Sequence, residues 1–93
     1  MSFHLLYHPD VKKEDIRDIP QNIKKRIRMA IEDRIMTDPE KYGQPLKRGL
    51  QGYRKLRVGD YRIIYKIKGA EVLIFKIGHR KAVYTKAVFR KNS

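Results

Sequence analysis

The chain has 93 residues, enough for one compact domain and too few for two separate cores. Its 23 Lys and Arg against 10 Asp and Glu give a formal net charge of +13, a surplus that favours polyanionic partners such as nucleic acid or an acidic protein. The absence of cysteine excludes disulfides and thiolate metal sites. No apolar run approaches the roughly 20 residues of a membrane helix, and "MSFHLLYHPD" lacks the layout of a secretory signal, so a soluble, cytoplasmic protein is expected.

Phe3 to Tyr7 reads as a short strand, ended by Pro9-Asp10. Asp10 is the expected N-cap of a short helix over Val11 to Asp18. Pro20 suits the first turn of a second helix, where its missing N–H costs nothing. In that helix Ile23, Ile27, Ile31 and Ile35 recur every four residues with Ala30 beside them, an apolar stripe flanked by Lys24, Lys25, Arg28 and Arg34. Asp38-Pro39 should stop it near Thr37. Glu40 to Gly52 holds Pro45 and three glycines and reads as a connecting loop. Three strands follow, about Tyr53 to Val58, Tyr61 to Ile67 and Glu71 to Ile77. The turn signals Val58-Gly59-Asp60 and Lys68-Gly69-Ala70 make them an antiparallel meander. Phe89, Arg90 and Lys91 read as a short helix or a mobile tail able to cover the basic face.

Strand alternation sorts these side chains. One face collects Leu56, Val58, Tyr61, Ile63, Tyr65, Ile67, Leu73, Phe75 and Ile77, a core for the isoleucine stripe to cover. The other collects Lys55, Arg57, Arg62, Lys66 and Lys76, with Ile64, Val72 and Ile74 in its floor, and Arg80 continues that parity. A bulge at Gly59 or Gly78 would flip the parity beyond it. The charge is equally uneven along the chain. Met1 to Leu46 carries nine basic and eight acidic residues, whereas Lys47 to Ser93 carries fourteen basic residues and only Asp60 and Glu71. The asymmetry points to a localised electrostatic site. His4 and His8 stand about 13 Å apart in an extended strand and cannot share a metal, so no metal or cofactor is expected.

The order strand, two helices, meander, with "LKRGLQGYRKLRVGDYRIIY" (Leu46 to Tyr65) and "IGHRKAVY" (Ile77 to Tyr84), resembles the RelE/ParE toxin superfamily of bacterial and archaeal toxin–antitoxin systems. The resemblance implies one α+β domain over residues 1–93: an N-terminal strand, two helices packed on one face of an antiparallel sheet, and a C-terminal three-stranded meander. RelE-type members are endoribonucleases that enter the ribosomal A site and cut mRNA there. ParE-type members share the fold, inhibit DNA gyrase and generally lack the RelE catalytic set. Here Lys55 and Arg57 match the basic residues of the first meander strand, Arg62 the arginine after the turn, and Arg80 and Tyr84 the late Arg and Tyr. Some RelE members have a further lysine near Tyr53-Arg54, where this chain has no unambiguous match.

Metal-free RNA cleavage needs a group to take the 2′-proton, a group to help the 5′-oxygen leave, and cations for the charge on phosphorus. The resemblance assigns this chemistry to Lys55, Arg62, Arg80 and Tyr84, with Tyr84 a candidate general base and Lys55 a candidate acid or base. Arg57, Lys66, Lys76 and His79 are expected to position RNA. The expected partners are mRNA, the ribosome and a small acidic antitoxin that covers the basic face of a monomeric toxin.

Overall fold

The computed structural model describes residues 3–93. Its five strands form one sheet in the order β1-β5-β4-β3-β2. The strands are β1 (His4–Tyr7), β2 (Gln44–Pro45), β3 (Tyr53–Val58), β4 (Tyr61–Lys68) and β5 (Glu71–His79). β3, β4 and β5 are the expected meander, with β5 reaching two residues further, to His79. β1 lies outside β5 and parallel to it, with His4 opposite Glu71 and Tyr7 opposite Ile74. The sequence signalled that strand but not its neighbour, because the pairing joins segments far apart in the chain.

One face of the sheet is covered by helix. The chain leaves β1 through a single wide turn, Val11–Asp15, shorter than the helix expected to Asp18. Asp10 does not cap it; its N–H instead donates to His8 Nδ1 at 3.1 Å. Helix α1 (Gln21–Ala30) then continues through Ile31–Ile35 as another wide turn, with Met36 N–H donating to Ile31 O at 2.9 Å. Ile27, Ala30, Ile31 and Ile35 pack on Leu56, Val58, Ile63, Tyr65, Val72, Ile74 and Ile77 in one buried cluster. The expected connecting loop holds a helical turn, α2 (Pro39–Tyr42), begun by the Asp38 carboxylate accepting from Lys41 N–H. Buried Tyr65 donates its hydroxyl to Pro39 O at 2.6 Å. Any Cβ at Gly43 would collide with that hydroxyl, so glycine is required there.

The opposite face is covered by helix α3 (Val83–Lys91), where the sequence allowed a helix or a tail. Val83 and Ala87 join Leu50, Tyr53, Ile64 and Phe75 in a second buried cluster. Its existence reverses part of the expected side-chain sorting. A bulge on β5 pairs Ile64 with Lys76 but Tyr65 with Ile74, leaving Phe75 as the extra residue. Val72 and Ile74 therefore belong to the α1 side, and Leu73 and Phe75 to the α3 side. Among the described residues no helix is long and apolar enough to cross a membrane.

Candidate active site

The α3-side face gathers its cations at one end. Arg57 on β3 stands directly opposite Arg62 on β4, and Lys55 opposite Ile64, so the three share one face. Both β3 and β4 approach the Gly59-Asp60 turn here. The Arg62 guanidinium donates to Gly59 O at 3.1 Å and Tyr61 O at 2.9 Å, which curls it toward that turn. Arg80, just past β5, reaches the same turn: its N–H donates to Asp60 O at 2.8 Å and its Nε lies 3.5 Å from Asp60 Oδ1. That ion pair is exposed on both sides and holds the guanidinium only loosely.

Tyr84 enters from above. Gly78 lies opposite Arg62, and a Cβ there would come within 3.2 Å of Val83 Cγ2. Glycine thus lets α3 begin close against the sheet, with Tyr84 in its first turn. The Tyr84 ring is half-buried against the second cluster, and Lys55 Nζ lies 5.4 Å from its centroid. That contact places an ammonium over the ring, a cation–π geometry that orders both groups. Further along, Lys66 Nζ lies 5.2 Å from the centroid of the Tyr53 ring, which itself rests on Phe75 at 4.9 Å.

Among the described residues, Lys55, Arg57, Arg62 and Lys66 have no carboxylate within 4.0 Å, whereas Lys76, Arg80 and Arg90 do. Four cations without a carboxylate partner thus share this face, a field suited to phosphate oxygens. No group of three or more His, Cys, Asp or Glu among the described residues is placed to hold a metal.

Two residues expected at the interface lie elsewhere. His79 pairs across the sheet with Tyr61, on the side facing α1, and its ring meets the Tyr61 ring edge-on at 5.6 Å. Its Nδ1 accepts from Lys81 N–H. Lys76 is buried, and its Nζ lies 2.7 Å from Asp15 Oδ1. Lys76 keeps the expected face, opposite Ile64, but burial and this ion pair withdraw its ammonium from the exposed basic surface, unlike the RNA contact expected of it.

Asp15 is a functional candidate that sequence reasoning missed. Its side chain is fully buried and accepts from Lys76, from both terminal nitrogens of Arg90, and from Ile77 N–H at 2.9 Å. Arg90 also donates to Phe75 O at 2.8 Å. Burial pushes the Asp15 carboxyl up, but the hydrogen bonds from Arg90, Lys76 and Ile77 and the Lys76 charge outweigh it and hold the group below the usual carboxylate range. Nothing local in the sequence marks this residue, whose partners lie 61 and 75 positions away. The helix that brings Arg90 to it was more accessible, since Val83, Tyr84, Ala87 and Val88 recur at helical spacing.

Comparison with known proteins places this chain in a family. A family profile described as "ParE toxin of type II toxin-antitoxin system, parDE" matches residues 5–84. Toxin RelE3 of Methanocaldococcus jannaschii is 31% identical over 75 residues, covering 76% of this chain and 84% of the relative. Among solved structures, the RelBE2 toxin–antitoxin complex of Mycobacterium tuberculosis superposes with a TM-score of 0.78 at 24% identity, covering 86% of this chain and all of that one. A mutant of E. coli toxin RelE in the free state superposes with a TM-score of 0.74 at 22% identity, covering 97% and 98% of the two chains. With the profile spanning most of its length and a RelE toxin aligned over three quarters of it, this chain belongs to the RelE/ParE superfamily of toxins from type II toxin–antitoxin systems.

Proposed function

We propose that this RelE-type toxin is a ribosome-dependent mRNA endonuclease that works without metal or cofactor in the cytoplasm. The observation that carries the reading is the Lys55 ammonium over the Tyr84 ring, on the face where Arg57 and Arg62 lack carboxylate partners. In this reaction the ribose 2′-oxygen attacks the adjacent phosphorus and the P–O5′ bond breaks, giving a 2′,3′-cyclic phosphate and a 5′-hydroxyl. Tyr84 and Lys55 divide the two proton transfers: one accepts the 2′-proton and the other supplies the proton to the leaving 5′-oxygen. Arg62 and Arg80 hold the non-bridging oxygens, whose negative charge grows in the transition state. The planar guanidinium fork suits that role, and each such donor contributes about 2.7–4 kcal/mol by analogy with an oxyanion-hole donor. Arg57 and Lys66 hold flanking phosphates.

Nothing in this arrangement bends RNA into line for attack. The ribosomal A site supplies that alignment, worth several kcal/mol, so free RNA should be cut poorly. The solved relative in complex with its antitoxin supports a protein inhibitor for this toxin as well. An acidic antitoxin segment laid on the unneutralised face would block message entry.

A second reading, inhibition of DNA gyrase, is favoured by the ParE description of the matching profile. A gyrase binder has no chemical need of Tyr84 beneath Lys55. Primer extension on a translated message with purified toxin and ribosomes separates the two. Breaks within ribosome-bound codons, lost in Arg80→Ala with Tyr84→Phe while ribosome binding persists, are the expected result. Intact messages with filamentation and DNA damage in cells would overturn the nuclease reading in favour of gyrase.

A further inference from the structure

We infer that Asp15 is a positioning residue for the active site, acting through Arg90 and helix α3 to set where the Tyr84 phenol stands; this rests on the nuclease reading for its catalytic consequence. Tyr84 and Arg90 lie at opposite ends of the same short helix, about 9 Å apart along its axis. The side chains of the first turn are seated by packing, with Val83 against Gly78 and the Tyr84 ring against Lys55. Its entry is tied to the sheet by the Ala82 N–H donating to His79 O at 3.0 Å and the Arg80 N–H to Asp60 O. The last turn is held by directed bonds. Arg90 places both terminal nitrogens on Asp15, at 2.9 Å to Oδ2 and 2.8 Å to Oδ1, and adds a bond to Phe75 O. A two-pronged guanidinium–carboxylate contact fixes rotation as well as distance. Packing alone lets a helix roll or slide; this anchor does not.

The carboxylate is itself immobile. Lys76 Nζ and Ile77 N–H bind it from β5, the strand that also bears Gly78 beneath the start of α3. The anchor and the seat of the helix therefore share one strand, and a displacement at Arg90 is transmitted along α3 to the phenol. Asp15 touches no substrate in this scheme. Its buried charge is costly to retain for stability alone, since a well-packed apolar trio of similar volume is often no less stable. A directional role gives it a reason to persist.

The test uses the full chain with ribosomes and a translated message. Asp15→Asn and Arg90→Lys are compared with the unaltered toxin for kcat and KM, and for the nuclear Overhauser contact between the Tyr84 ring and the Lys55 side chain. The expected result is a kcat about a hundredfold lower in Asp15→Asn, the scale of a 1 Å misplacement. KM stays within about twofold, and the ring contact weakens in parallel. Arg90→Lys keeps the charge but loses the fork, and falls between. Should Asp15→Asn not fold, Arg90→Lys carries the test, its helical content checked by circular dichroism. A folded Arg90→Lys with a lost ring contact and full kcat overturns the proposal, as does a lowered kcat with the contact intact. If the unaltered toxin cuts no message, the nuclease reading has failed; the ring contact in the variants then decides alone whether Asp15 sets the phenol, its loss supporting the anchor and its retention overturning it.

Discussion

The two faces of the sheet are built differently. The α1 side is a continuous apolar layer, with Ile35, Ile63, Tyr65, Val72 and Ile74 all fully buried. The α3 side is apolar only beneath its helix; beside that patch stand cations without carboxylate partners. The first arrangement maximises burial and tolerates little else. The second keeps a small core for one purpose, to seat a short helix against a charged surface. A sheet can thus separate stability from chemistry by assigning each to one face, with backbone shared and side chains independent.

Adjacent isoleucines sharpen the contrast most. Ile63 and Ile64 are both fully buried, on opposite faces. Ile63→Ala and Ile64→Ala should each cost about 2–5 kcal/mol in denaturant unfolding. Only Ile64→Ala should also reduce message cleavage by the folded fraction, because only it undercuts α3. Equal activity losses per folded molecule would break the division.

Acid should reach the two faces through one residue. Asp15 has a lowered folded pKa, so its contribution is fully present above the unfolded carboxylate value and is lost as pH falls through the folded one. Stability measured below about pH 4 should therefore drop steeply, and Asp15→Asn should flatten that profile. A smaller effect is expected at Tyr65→Phe, which removes the bond to Pro39 O and should cost about 0.5–1.5 kcal/mol with cleavage unchanged. Smallest is Lys66→Ala, which should leave stability alone and reduce the salt dependence of RNA binding by about one phosphate contact.

Much of this was legible in the sequence, for identifiable reasons. The isoleucine stripe of α1 and the alternation through β3 and β4 are periodic signals with polar residues to mark phase. Alternation falls silent in Val72-Leu73-Ile74-Phe75, where every residue is apolar, and the bulge lies at the end of that run. A slip there reassigns each residue without leaving a compositional trace. The clustering of Lys55, Arg57 and Arg62 could be read because all lie on strands joined by one tight turn. Lys76 and Asp15 could not be paired in advance, since no local rule links a turn after β1 to the middle of β5.

The parallel pairing of β1 with β5 has a kinetic consequence. Three successive strands of the meander zip together through neighbouring hairpins, whereas β1 must find Glu71 to Ile74 after a long excursion of chain. Contacts that close large loops form late and slow the search. The meander is therefore expected to nucleate folding, and substitutions at Leu5 in β1 should hasten unfolding while barely altering the refolding rate.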